Sequence, residues 1–498
     1  MKTLFQTLSV PLVLVGFALL PTISPASETR VDSTGGLTTL LDDETDNLSL
    51  FLDGNPAGLV LLNTRDRLDV SGELSYLDQE GPWGSNRQLV LTTIPRYTDN
   101  PIKYEGLMLF PDPHWAVQVL GDFFLDQGVS VAGFTGDALP PSDTNTQRQY
   151  RGLIRVSYAF PFGAAGLEVL NSQKDSRDDP GLWNPDVGLS SGASGQNQTL
   201  VKTGIITTFP ANLSPESPRW QAGGWFTAQL GPDSENQILN LYYSGSPSFP
   251  LTQIIATSDY WEWDAELLYE LPSIAKIRLS ADMATSSTDL TQTVPFTSPD
   301  FDQLSLGPYR YSQFQSFTLA CAFKCSLPVS EEENFKVGGN LTGYFLSLDL
   351  LNPDGSVDSG QGNQKIGTQL GIGLDSPKDY TMGLQWKSVS RLNGNDSINN
   401  PGIALGVPAG GDLYQLAFGG EKWLAVTWAF RMGLVLEEDV DGQTSQKNFS
   451  TTINAGIGLE KAFGRADIRF FLGQTSDLND SANTVGVTGA QLATTVFL

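Results

Sequence analysis

The sequence has one histidine, His114, and two cysteines, Cys321 and Cys325. A four-ligand zinc site or a disulfide framework cannot be assembled from so few. Histidine catalysis would rest on one side chain in the turn-forming stretch Pro111-Asp112-Pro113-His114-Trp115. Basic residues are scarce: 29 Lys and Arg face 55 Asp and Glu, a formal charge of −26 with no basic stripe. That excludes nucleic-acid binding by charge. Charged residues of both signs reach only 17%, against about 25% in ordinary soluble domains. No long apolar run follows the N-terminus, which excludes a multi-helix membrane protein. A phosphate-binding loop, a dinucleotide fingerprint and a Gly-x-Ser-x-Gly elbow are all missing, so no enzyme class and no cofactor is indicated. The acidic stretches 437–442 and 175–186 lack the spacing of a calcium loop and read as solvated loops, so no metal site is expected. Glycine is plentiful at 51, and aromatics at 10% with 10 Trp argue against disorder.

The single apolar run is N-terminal. Met1-Lys2 leads into an apolar core from Val10 to Leu20, and Ser24-Pro25-Ala26 places small residues at −3 and −1 of a cleavage site. The core is too short for a membrane anchor, so residues 1–26 read as a secretory signal peptide cut after Ala26.

From residue 67 onward the hydrophobic period is two. Trp261, Trp263, Ala265, Leu267, Tyr269 and Leu271 share one face, while Glu262, Asp264, Glu266 and Glu270 share the other. After Pro272-Ser273-Ile274, Ala275, Ile277, Leu279, Ala281 and Met283 alternate with Lys276, Arg278, Ser280 and Asp282. A three-residue turn then sets Leu271 opposite Ala275 and Glu270 opposite Lys276, keeping both faces in register. The unit recurs around 154–169, 366–387, 424–436 and 453–472, with Lys387, Arg431, Asp467 and Arg469 on the polar side.

Connection lengths alternate as well. Short turns are expected near 161–164, 272–274, 375–379, 419–421 and 461–464. Long polar segments cover 172–198, 285–311, 351–363, 391–410, 438–447 and 474–483. Outer-membrane barrels sort short periplasmic turns from long outer loops in this way, and a soluble sandwich has no reason to. The sequence therefore predicts an all-β chain: a transmembrane antiparallel β-barrel of about 14–18 strands over 67–498, preceded by a short plug-like segment over 27–66. Counting strands that keep the up-down parity gives about 18. Ile102–Phe110 and Gln237–Tyr243 look strand-like but break the parity, and are assigned to loops or inward folds. If the apolar faces meet lipid, Glu262, Asp264, Glu266, Lys276, Arg278, Asp282, Lys387, Arg431, Asp467 and Arg469 face the lumen. Their mixed signs read either as cross-strand ion pairs holding the wall or as a charged constriction.

Ahead of the first strand stands Leu50-Phe51-Leu52-Asp53-Gly54-Asn55-Pro56-Ala57-Gly58-Leu59, after the acidic run Asp42-Asp43-Glu44-Thr45-Asp46. This resembles the N-terminal segment of the FadL-type long-chain fatty-acid channels. The resemblance implies a plug at Asn55, Pro56, Ala57, Gly58 and Leu59 inside a fourteen-stranded barrel, with hydrophobic substrate leaving sideways through a gap in the wall. The same residues also read as a plain turn into the first strand. The chain ends on an alternating strand with Phe497 penultimate, similar to the aromatic ending that barrel-assembly machinery reads.

These readings converge on an outer-membrane channel of a Gram-negative cell for passive transport of small hydrophobic molecules, not an enzyme. Its partners would be outer-membrane lipid and lipopolysaccharide, a small hydrophobic substrate and the assembly machinery. The alternatives are a structural scaffold barrel and a general porin without hydrophobic preference.

Overall fold

A computed structural model describes residues 30, 33–34, 36–37, 55–62 and most of 66–498. Within the last range, 82–83, 93–105, 133–141, 181–189, 210–217, 232, 242–251, 272–273, 294–305, 353, 377–378, 395–411, 426, 441–446, 462 and 478–483 lie outside it. The proposed signal peptide and the acidic run 42–46 also fall outside the described residues.

Strands dominate. They are β1 (Arg67–Gly81), β2 (Gly84–Thr92), β3 (Gly106–Asp112), β4 (Trp115–Ala132), β5 (Ser142–Phe160), β6 (Gly163–Pro180) and β7 (Ser190–Phe209). There follow β8 (Arg219–Gln229), β9 (Asp233–Leu241), β10 (Thr252–Leu271), β11 (Ala275–Thr293), β12 (Leu306–Pro328), β13 (Asn334–Leu351) and β14 (Val357–Ser376). The last are β15 (Tyr380–Gly394), β16 (Asp412–Ala425), β17 (Trp428–Val440), β18 (Lys447–Lys461), β19 (Gly464–Asp477) and β20 (Thr484–Phe497). Neighbours pair antiparallel, and β20 returns to pair with β1 from Arg67↔Phe497 to Glu80↔Thr484, closing the barrel.

Two pairs of segments share a place in the wall. β2 and β3 both lie between β1 and β4, and β8 and β9 both lie between β7 and β10. The barrel therefore has eighteen strand positions. This corrects the assignment of Ile102–Phe110 and Gln237–Tyr243 to loops. Both contribute strand residues, as the second half of an interrupted strand, so they pair without adding a position and the parity survives.

The burial pattern is that of a membrane wall. Ile154, Ile205, Leu279, Leu370, Ile372, Met432 and Phe470 are exposed, while Arg155, Glu168, Glu266, Lys336, Arg431 and Asp467 are buried on the opposite face. Water would reverse that arrangement; lipid outside and a polar lumen inside require it. Aromatic side chains gather at the end with the short connections. Trp115 packs tilted against Tyr158 with ring centres 4.7 Å apart, Trp220 against Tyr269 at 4.6 Å, and Phe160 meets Phe162 edge to face at 4.7 Å. Such a belt marks a membrane–water interface.

The hairpin over 271–275 pairs as the sequence predicts, Leu271↔Ala275 and Glu270↔Lys276. The turn expected at 419–421 is not there: β16 continues to Ala425, with Gly419↔Gly433 and Gly420↔Met432 in the ladder. Several long polar segments are also largely strand. β6 runs on to Pro180 and β7 starts at Ser190, paired throughout, and β11 continues to Thr293. Beyond the lipid both faces of the wall meet water, so the apolar alternation ends while the backbone ladder does not. Cys321 and Cys325 are free thiols on β12.

Candidate functional site

The site is the lumen at the aromatic-belted end, where two parts of the N-terminal segment rest on the wall. The first is a 3-10 turn, Pro56–Leu62, and its residues Pro56 to Val60 are buried. Asn55 organises it. Its Oδ1 accepts from the Ala57 N–H at 3.0 Å, its carbonyl accepts from the Gly58 N–H at 3.1 Å, and its Nδ2 donates to the carbonyls of Ile205 and Gly224, both at 3.3 Å. The Ser157 hydroxyl accepts from Val60 N–H at 3.1 Å and donates to the Ala57 carbonyl at 2.9 Å. Ala57, Leu59 and Val60 pack against Met108, Ala116, Ala164, Ile206 and Leu268. The wall is stripped of side chains to admit the turn. A Cβ on Gly166 would collide with the Pro56–Ala57 peptide, and one on Gly204 with the Asn55 side chain; these two glycines face each other across β6 and β7.

The second part surrounds Arg30, Ser33, Thr34 and Leu37. Ser33, Thr34 and Leu37 are fully buried, Leu37 against Ala417 and Val435. Here too the wall carries glycine: a Cβ on Gly419 would strike the Thr34 carbonyl, and one on Gly456 the Ser33 side chain. Gln385 Nε2 donates to the Gly36 carbonyl at 2.9 Å. Arg30 binds Glu421 through Nε at 2.9 Å and Nη2 at 2.6 Å. Glu421 then accepts from Arg431 Nε at 2.5 Å, Arg431 Nη1 reaches Asp467 at 2.6 Å, and Arg465 Nε reaches Asp467 at 2.6 Å. The result is a buried ladder of alternating charge across β16, β17 and β19.

The two seats occupy opposite walls, since about half of the eighteen positions separate β6 from β17 in either direction. Strands about 4.8 Å apart and tilted about 40° give such a barrel a backbone diameter of about 36 Å. The seventeen residues 38–54 joining the seats could reach about 58 Å if extended, more than the crossing needs.

The other polar residues named from the sequence fall on β10, β11, β15 and β19. Tyr260 Oη donates to Glu262 at 2.6 Å, Asp264 stands opposite Asp282, and Glu266 pairs with Arg278. Glu270 takes Arg219 at 2.5 Å and Lys276 at 3.6 Å. Arg469 donates to Asn454 Oδ1 at 3.0 and 2.7 Å. Lys387 stands apart, opposite Gln369 and Gln415. No group of three or more His, Cys, Asp or Glu among the described residues is arranged to hold a metal. Arg30, Glu421, Arg465 and the four seating glycines were not singled out in the sequence. Arg30 lies outside the alternating region, and the glycines look like turn or bulge residues until something is seen resting on them.

Beside the first seat, one place in the wall is shared by β2 and β3: on β1, Glu73 pairs with Thr92 and Asp69 with Gly106. On β4, Phe124 pairs with Thr92 and Val119 with Leu107. At this level Val70, Val119 and Ile154 are exposed, and the facing pair Gly121↔Gly152 beside them carries no side chain. Between β8 and β9, Gln229 Nε2 donates to Ser258 O at 2.7 Å and to Gly231 O at 3.0 Å.

No family model matches the chain, and no curated protein matches it. Among solved structures it is similar to the CymD monoaromatic hydrocarbon channel, at 11% identity over 96% of this chain and 98% of that one, with a TM-score of 0.34. A FadL homologue from Pseudomonas aeruginosa gives 11% identity, 96% and 99% coverage and a TM-score of 0.39. The ferric yersiniabactin uptake receptor FyuA from Yersinia pestis gives 9%, 87% and 80%, and 0.46. Likeness at this level carries no weight for function. The fourteen strands that the FadL-type resemblance implies are replaced here by eighteen positions.

Proposed function

We propose that this chain is an outer-membrane channel that passes small hydrophobic molecules down their gradient, exported with its signal peptide cut after Ala26. The carrying observation is that the described parts of the N-terminal segment are seated on opposite walls at one mouth of a closed barrel. The two seats narrow that mouth from opposite walls. An apolar molecule then takes a sideways route into the bilayer near the first seat, where Gly121 and Gly152 leave the outer face bare. Outer-membrane lipid and lipopolysaccharide surround the barrel, and the assembly machinery inserts it. The chemistry is passive, with no cofactor and no catalytic group.

The test is solute flux into vesicles carrying the full chain, compared with a variant lacking residues 27–60. The full chain should pass small apolar solutes, and the deletion should alter that flux while the barrel persists. Unchanged flux would remove the plug from the mechanism. A folded barrel with no flux would favour a scaffold, a reading that the polar hairpin extending β5 and β6 beyond the lipid gives some purchase. Equal passage of polar and apolar solutes would favour a general porin.

A further inference from the structure

The row of the wall that seats Asn55 continues from Gly204 through Trp225 to Asp264 and Asp282. The next row, two residues further from the 271–275 hairpin, runs from Lys202 through Thr227 to Glu262. Three carboxyl groups therefore gather on the lumen face beside the first seat. Glu262 and Asp282 hydrogen-bond each other through their side chains. Among the described residues, no Lys or Arg forms an ion pair with Glu262, Asp264 or Asp282. The cations in range are engaged elsewhere: Arg278 holds Glu266, and Lys202 Nζ lies over the Trp225 ring, 4.1 Å from its centre.

Two polar atoms beside these carboxyl groups are left over. Thr227 is 1% exposed and its hydroxyl has no hydrogen-bond partner; Asp264 is 9% exposed and its Oδ1 has none. Such groups carry a desolvation cost that a bound donor would offset. Neighbouring carboxylates also repel unless protons or a cation stand between them. The cation called for is not a metal, because these carboxyl groups are not arranged to ligate one. An ammonium group fits better. It brings three N–H donors for the carboxylate oxygens and the Thr227 hydroxyl. Lys202 shows that the Trp225 face accepts an ammonium.

We propose that Glu262, Asp264, Asp282 and Thr227 form a lumenal seat for the protonated amine of a small apolar molecule, with its apolar body lying against Trp225. The proposal names the class of hydrophobic molecule that the channel reading leaves open. It rests on that reading for transport but not for binding.

The test compares phenethylamine, phenethyl alcohol and hydrocinnamate at neutral pH, which carry similar apolar bodies and differ in charge. Equilibrium dialysis against the full chain in detergent measures binding, and gel mobility confirms a folded barrel. The amine should bind about tenfold or more tighter than the alcohol, and the carboxylate weakest. Glu262→Gln combined with Asp282→Asn keeps the shape of the wall and should erase the preference, and Thr227→Val should reduce it. An amine bound no tighter than the alcohol by the unsubstituted protein, or a preference that survives the double substitution, would overturn the seat. Solute flux into vesicles separates the two ideas. Preferred amine binding with no flux of any solute leaves the seat standing and defeats the channel, whereas flux of all three without a binding preference does the reverse.

Discussion

At the scale of single residues, the buried charges decide which substitutions the wall tolerates. Asp467 neutralises Arg431 and Arg465 together, so Asp467→Asn leaves three guanidinium groups facing one carboxylate. Breaking a buried pair this way costs about 3–5 kcal/mol. Arg431→Leu should cost less, because Glu421 keeps Arg30 and Asp467 keeps Arg465. Urea unfolding from vesicles should rank the two in that order; the reverse would mean the ladder is not the unit described. The alternation placed Arg431, Asp467 and Arg469 on the polar side, and period two suffices for that. It could not reveal Arg30, whose partner Glu421 lies 391 residues away in sequence. Nor could it separate Gly419 as a turn residue from Gly419 as a seat: the two readings differ only by the Thr34 carbonyl that rests on it.

At the scale of the strand, each element has a lipid half and a water half, and only the first writes itself into the hydrophobic pattern. Hairpin 271–275 was legible to the residue because both of its strands lie in the lipid half there. The continuations of β6, β7 and β11 were not, because a strand with water on both faces has the composition of a loop. The lipid half sets a sharp expectation on β14. Leu370 is about half exposed on the outer face, and its neighbour Gln369 points the other way. Leu370→Arg should destabilise the barrel by about 2–4 kcal/mol, whereas Gln369→Arg should cost far less. Refolding titrations into thin bilayers would compare them, and equal effects would mean that this face does not meet lipid.

At the scale of the molecule, eighteen positions built from twenty segments explain why strand-like residues and strand parity disagreed in the sequence. Parity counts crossings of the membrane, and an interrupted strand crosses once. Detergent-extracted protein should migrate differently before and after boiling, because the hydrogen-bonded cylinder resists detergent until heated. Identical mobility, with the protein fractionating as soluble, would remove the architecture and every functional reading with it.

The seam between β1 and β20 reaches further than stability. Arg67 faces Phe497, so the first strand cannot find its outer partner until nearly the whole chain has been delivered. Until then both ends of the growing sheet present unpaired backbone edges, the surface that drives strands of different chains together. Contacts this distant in sequence also form slowly. The molecule therefore spends its vulnerable period as an open ribbon with two adhesive margins, and its survival in the cell depends on whatever shields those margins until the final strand arrives.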